Sequence, residues 1–130
     1  AEFRRVLRPK GLVHAIEGDW RLTAVEPVPT ADWRAIIEAA GWAWPWPEIG
    51  RGLYGIARRA GFEEVLIDVR TTPDTSGRLR PMIQTVADYP RASGNVDEAV
   101  IDHALAQIDG AIADGTYLAI APQFIVTASN

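Results

Sequence analysis

Two stretches of the sequence are typical of strands and end at charged residues; the first is a short apolar run, and in the second Val65, Ile67 and Val69 alternate with other residues. The stretches are LVHAI (12–16) and FEEVLIDVR (62–70). The groups at or just beyond their ends are Glu17, Asp19, Trp20, Arg70 and Asp74. Since ligands of open α/β sheets bind at the carboxyl ends of parallel strands, these side chains are the best placed in the sequence for binding or catalysis.

Asp19 is the candidate catalytic residue. A carboxylate at this position could accept a proton from a hydroxyl or amine, or bind a substrate hydroxyl. The alternative is a loop acid that caps a nearby turn. Glu17 could act in the same way but is a weaker candidate than Asp19. Arg70 is a candidate substrate-binding residue.

Aromatic residues are concentrated near the same segment, because all five tryptophans fall between positions 20 and 46. Trp33 shares a helix face with Ile36 and Ile37, so we assign it to the core. The candidates for the wall of an apolar substrate pocket are Trp20, Trp42, Trp44 and Trp46. These indoles could equally cover the core where another polypeptide packs.

No other catalytic or metal-binding pattern emerges from the sequence. The sequence has no cysteine, which argues against a hydrolase with a cysteine nucleophile, and no G-x-S-x-G motif, which argues against one with a serine nucleophile. His14 is expected to be a hydrogen-bonded core histidine, and His103 to face solvent or a cleft. Neither has an acidic partner at metal-ligand spacing, so we predict no metal site.

The segment Gly50-Arg51-Gly52-Leu53-Tyr54-Gly55 matches the dinucleotide pattern G-x-G-x-x-G. That pattern has its meaning only where a strand leads into it. Here WAWPWPEI (42–49) leads into it, and Pro45 and Pro47 exclude a central strand. We therefore interpret the glycines as a small-residue helix face that allows close packing.

The periodicity of the apolar residues predicts an α/β fold in one domain, residues 1–130. The predicted order is helix, strand, two helices, strand, two helices, strand. The last strand, residues 116–128, contains Pro122 at a bulge or bend. The helix pair occupies 78–114. Its first member is expected to end before Pro90, and Asn95 with Glu98 resembles a capping box for its second member. The run at 12–16 should be covered on both faces, since it is too apolar for an open edge.

Charge and composition limit the classes of partner. The net charge is −4, which argues against nucleic acid or an anionic membrane surface. No apolar window is long enough for a membrane span, and no signal peptide is recognisable. A cytoplasmic location is the expectation. The chain begins inside a helical pattern without Met, so we expect it to be a fragment of a longer protein.

Several phrases resemble class I S-adenosylmethionine-dependent methyltransferases, in the subgroup acting on small or quinone-like molecules. EFRRVLRPKGLVHAIEGDW (2–20) resembles the helix, turn and fifth strand, with Lys10 replacing a glycine. IGRGLYGIARRAGFEEVLIDVR (49–70) resembles the next helix and sixth strand. Residues 116–128 resemble the antiparallel seventh strand, inserted between the other two. The resemblance implies the C-terminal half of a Rossmann-like fold, with a three-stranded sheet and a helical insertion at 78–114.

The resemblance also implies a function and a cofactor. The cofactor would be S-adenosylmethionine, and the glycine-rich loop with which the family binds it is not among these residues. The substrate would be a small, partly apolar methyl acceptor. We expect inactivity without the N-terminal half. The alternatives are a non-catalytic domain that binds an apolar ligand or dimerises, and a fragment that swaps elements with a second copy. The partners would then be the missing half or a second copy of the chain.

Overall fold

The computed structural model describes residues 2–130 and shows an α/β arrangement. The helices are α1 (Glu2–Val6), α2 (Thr30–Ala39), α3 (Ile49–Arg59), α4 (Arg80–Ser93) and α5 (Glu98–Asp114). The strands are β1 (Leu12–Gly18), β2 (Ala24–Glu26), β3 (Glu64–Arg70), β4 (Leu118–Ile120) and β5 (Gln123–Ser129). Both apolar stretches singled out in the sequence form strands, and 78–114 contains two helices as predicted.

The main sheet has three strands in the order β1–β5–β3. The last strand lies in the middle and is antiparallel to both neighbours, with Ile16 and Asp68 both opposite Ile125. β1 and β3 therefore run in the same direction without touching. No two neighbouring strands among residues 2–130 are parallel, so the run of adjacent parallel strands that defines a Rossmann-like sheet is not supported here.

A second, two-stranded sheet was not predicted. β2 pairs with β4 antiparallel, with Val25 opposite Ala119. The predicted strand at 116–128 is therefore two strands, because Pro122 has no N–H to donate and the chain turns at Ala121–Pro122 from one sheet to the other. The bend expected at Pro122 is confirmed, and its effect is to join the two sheets.

The larger hydrophobic core lies among the helices and the small sheet. Its fully buried members include Ile36 and Ile37 of α2, Ile83 of α4, and Ile101 and Ile108 of α5. The buried positions of α4 and α5 recur at three- and four-residue spacing, so each of these helices places one stripe inward; in α5 they are Ile101, Ala104, Leu105, Ile108 and Ala111. Trp33 is 5% exposed in this core, as the sequence predicted.

Helix α3 covers one face of the main sheet and forms a smaller core with it. Ala57 of α3 packs with Phe62, Val126 and Ala128. The approach is close at Gly50, where an added Cβ would lie 2.6 Å from the carbonyl oxygen of Gly18. Only glycine fits at this position, because the obstruction is backbone and cannot rotate away.

The opposite face of the main sheet is open, so nothing among residues 2–130 covers strand 12–16 on that side. Leu12 and Ile16 are each 57% exposed, and Leu66 on β3 is 71% exposed. Both β1 and β3 are edge strands. An apolar run identifies a strand without showing what covers it, so the predicted cover of 12–16 by another polypeptide segment stays a prediction.

Helix ends also differ from the sequence prediction at two places. Asp97 caps α5, accepting a hydrogen bond from the backbone N–H of Ala99, so the expected Asn95–Glu98 box does not form. Pro90, expected to follow its helix, lies inside α4. Each helix still ends at a glycine in the left-handed conformation, Gly94 for α4 and Gly115 for α5.

Candidate functional site

The carboxyl ends of β1 and β3 border a cavity of about 530 Å³. Both strands end at this edge because they run in the same direction on either side of β5. All five residues singled out from the strand ends line the cavity, namely Glu17, Asp19, Trp20, Arg70 and Asp74. The sequence therefore identified four of the five charged residues that line it, all but Arg78. The apolar part, which includes Leu79, Met82 and Pro122, was not assigned to a site beforehand.

Asp19 is fixed by a dense set of hydrogen bonds. It is 1% exposed and caps a short 3-10 turn at Trp20–Leu22, accepting hydrogen bonds from the backbone N–H groups of Arg21 and Leu22. Its carboxylate also pairs with Arg51, which donates from both Nε and Nη2. This contact raises the pKa of Arg51, chiefly through the hydrogen bond to Asp19. The structure thus shows the capping role, and proton acceptance by Asp19 stays a prediction.

Asp74 is the second buried acid of the cavity, at 2% exposure. Burial alone would raise its pKa, but hydrogen bonds from the backbone N–H groups of Leu79, Ser76 and Arg78 and from the Ser76 hydroxyl lower it to about 2. Asp74 is therefore ionised, and its lone pairs are used to hold the loop before α4. Apart from the turn-rich composition of 71–77, no pattern in the sequence indicated that Asp74 holds this loop.

The two arginines of the cavity remain exposed. Arg70, at the end of β3, is paired with Asp68 at 2.8 Å, and its side chain is 73% exposed. Arg78 lies 3.6 Å from Asp74 and is 70% exposed. Ion pairs this exposed cost little to rearrange, so both guanidinium groups are free to reorient toward a bound molecule.

A second, smaller groove adjoins the cavity. Its volume is about 250 Å³, and its lining residues are Glu17, Gly18, Trp20, Trp44, Pro45, Trp46, Pro47 and Ile49. Trp20 stacks on Trp44 with ring centroids 5.0 Å apart and an interplanar angle of 16°. Glu17, Gly18 and Trp20 line both spaces, so they form the wall between the cavity and the groove.

The four tryptophans proposed for substrate binding are therefore not equivalent. Trp20 borders the cavity and the groove, whereas Trp44 and Trp46 border only the groove. Trp42 lines neither space. Its indole N–H donates to the carbonyl oxygen of Tyr89, and the two rings meet edge to face. Trp44 also meets the Tyr89 ring edge to face, so what separates Trp44 from Trp42 is its place in the groove.

The two histidines lie away from both spaces. His14 is exposed on the open sheet face, with its Nδ1 2.8 Å from the Thr127 hydroxyl. It is hydrogen-bonded as predicted, but the prediction that it belongs to the core is wrong. His103 is exposed on α5. Within residues 2–130, no group of three or more His, Asp or Glu is arranged to hold a metal ion.

The G-x-G-x-x-G segment lies within helix α3 rather than in a loop after a strand. Gly50 packs against Gly18, whereas an added Cβ at Gly52 would contact only Ile56 of the same helix, at 3.9 Å. The small-residue interpretation is therefore confirmed at Gly50. Arg51, between these glycines, is the partner of Asp19.

No protein-family model matches the chain, and no curated protein matches it. Among the helices that the structure describes, none has the length and apolar character to cross a bilayer.

Proposed function

We propose that the chain is the acceptor-binding part of an S-adenosylmethionine-dependent methyltransferase, acting on a small, partly apolar molecule in the cytoplasm. The observation that carries the proposal is the insertion of β5, antiparallel, between β1 and β3, with a cavity at the ends of those two strands. The phrases that resemble this enzyme family imply that arrangement for their last three strands. The finer assignment, the C-terminal half of a Rossmann-like methyltransferase fold, is part of the proposal.

A local feature of the first turn supports the same assignment. Lys10 has a φ of 63°, in the left-handed region that favours glycine. This is the position at which the family phrase carries a glycine. The backbone geometry that the phrase requires is thus present, although the residue type differs.

For methyl transfer, the cavity would have to align the acceptor with the methyl group and exclude water. Methyl transfer is an in-line displacement, so the acceptor atom must be held toward the methyl group. In the proposal, Trp20, Leu79 and Met82 contact the apolar part of the acceptor, and Arg70 binds a polar substituent. Asp19 orients the site through Arg51. S-adenosylmethionine would supply the electrophilic methyl group from a cofactor-binding part outside these residues.

The test is binding and methyl transfer by the natural full-length protein that contains this chain, with its intact mass recorded. We expect saturable binding of S-adenosylmethionine, and transfer of a radiolabelled methyl group to a small molecule in a cell extract. Arg70→Ala should impair transfer while cofactor binding persists. Arg59→Ala, on the exposed end of α3, is the matched control and should leave transfer unchanged. Absence of cofactor binding by the full-length protein would contradict the proposal.

The open sheet face favours a second candidate, a domain that dimerises. Exposed apolar side chains on that face include Leu12, Ile16 and Leu66. A face of this kind next to two free strand edges is a typical association surface. Sedimentation equilibrium should then show a mass that rises with concentration and reverts to monomer in Leu66→Glu. Ile56→Glu, on the exposed side of α3, should have no such effect.

A further inference from the structure

The groove beside the main cavity combines aromatic rings with a single carboxylate. Three indoles, Trp20, Trp44 and Trp46, line it together with Glu17. Trp46 is 69% exposed, so most of this large apolar side chain is open to solvent. Pro45 and Pro47 flank Trp46 and restrict its backbone. Trp46 therefore presents its ring at the surface before any ligand binds, whereas Trp20 and Trp44 are half-buried and stacked on each other, so that each has only its outer face and edge for a ligand.

Among residues 2–130, Glu17 is the only charged group that lines this groove. Among the ion pairs formed within residues 2–130, none involves Glu17. The neighbouring acids are already neutralised, because Asp19 pairs with Arg51 and Glu48 with Arg21. The groove thus has a net negative charge beside an apolar surface.

This combination selects a particular kind of ligand. The π-faces of tryptophan attract cations, and a carboxylate adds a direct charge interaction. A small, strongly hydrated cation would lose its water unfavourably against three indoles, whereas an alkylated ammonium has an apolar exterior that the rings can contact. We propose that the groove binds a quaternary or otherwise alkylated ammonium group. This inference stands on the groove alone and does not rest on methyl transfer.

The test compares choline with 3,3-dimethylbutan-1-ol, which has the same shape without the charge. Both are titrated into the protein and followed by the indole N–H resonances, assigned by single Trp→Phe variants. Choline should shift the resonances of Trp20, Trp44 and Trp46 and leave that of buried Trp33 in place. The neutral alcohol should bind about tenfold more weakly, since loss of the cation–π and charge terms is worth roughly 1 to 2 kcal/mol.

Two variants and a control locate the site. Glu17→Gln should weaken choline binding several-fold, and Trp46→Leu should weaken it at least as much. Trp46 is exposed, so its replacement leaves the core intact. Trp42→Phe, which changes an exposed indole outside the groove, should bind choline normally. Equal affinity for the two ligands, shifts that do not involve the groove tryptophans, or no saturable binding of choline would each overturn the proposal.

Discussion

Arg51, in the first turn of α3, donates two hydrogen bonds to the buried carboxylate of Asp19, which directly follows β1. The pair joins the helix that covers the main sheet to the edge where the cavity opens. Asp19 also holds the turn that begins at Trp20, so one carboxylate positions both the helix and the indole wall. The contact explains why an acid and an arginine 32 positions apart belong to one site.

Replacement of Asp19 should therefore reduce stability as well as any activity. Asp19→Ala removes a turn cap and a buried partner of Arg51, and we expect a loss of about 2 kcal/mol in the free energy of unfolding. The exposed pair Asp68–Arg70 provides the control, because Asp68→Ala should cost less than about 0.5 kcal/mol. Urea denaturation measures both. Equal effects would contradict the anchoring role of Asp19.

The glycines of α3 should respond in opposite directions to alanine. At Gly50 the new Cβ would lie 2.6 Å from the Gly18 carbonyl oxygen and 2.8 Å from the Phe124 ring, so Gly50→Ala should cost about 1 to 3 kcal/mol. At Gly52 there is room, and Gly52→Ala should stabilise the helix by about 0.5 to 1 kcal/mol. Thermal unfolding followed by circular dichroism distinguishes them. A loss of stability at both positions would contradict the packing interpretation.

Asp74 should govern part of the acid denaturation. Its pKa is lowered to about 2 in the folded chain from an ordinary value of 3.8. The stabilisation is therefore present above about pH 4 and is lost as the pH falls toward 2, by roughly 1 to 2 kcal/mol. In Asp74→Asn the free energy of unfolding should be lower at pH 7 and should fall less between pH 4 and pH 2. Asp114→Asn, at the exposed end of α5, should keep the wild-type slope.

The sequence predicted those parts of the fold that depend on local pattern. The spacing of apolar residues identifies each of these elements. It is helical in α2, α4 and α5 and typical of a strand in β1 and β3. The β2–β4 pair was missed because each strand has three residues and their pairing spans more than 90 positions. Nothing in a run of three residues indicates such a partner.

The sequence likewise predicted only part of the candidate site. Strand direction alone brought Glu17, Asp19 and Arg70 to one cavity, since residues after parallel-running strands share an edge. The division of the tryptophans was beyond the sequence, because Trp42 and Trp44 are two residues apart and both meet Tyr89, yet only Trp44 lines the groove. The Asp19–Arg51 pair was also beyond the sequence, because no local pattern links an acid after a strand to an arginine 32 positions later in a helix.

Lys10 offers a last test, of the turn between α1 and β1. A residue with a Cβ at a φ of 63° is strained by about 1 kcal/mol, and glycine is not. Glycine loses more backbone entropy on folding, which offsets part of this gain. We therefore expect Lys10→Gly to raise the free energy of unfolding by up to about 1 kcal/mol, and Lys10→Ala to leave it unchanged or lower it. Because both variants remove the same charge, the difference between them measures the backbone term alone. A more stable alanine variant would show that the turn does not require the left-handed conformation, and would remove one support for the proposed methyltransferase ancestry.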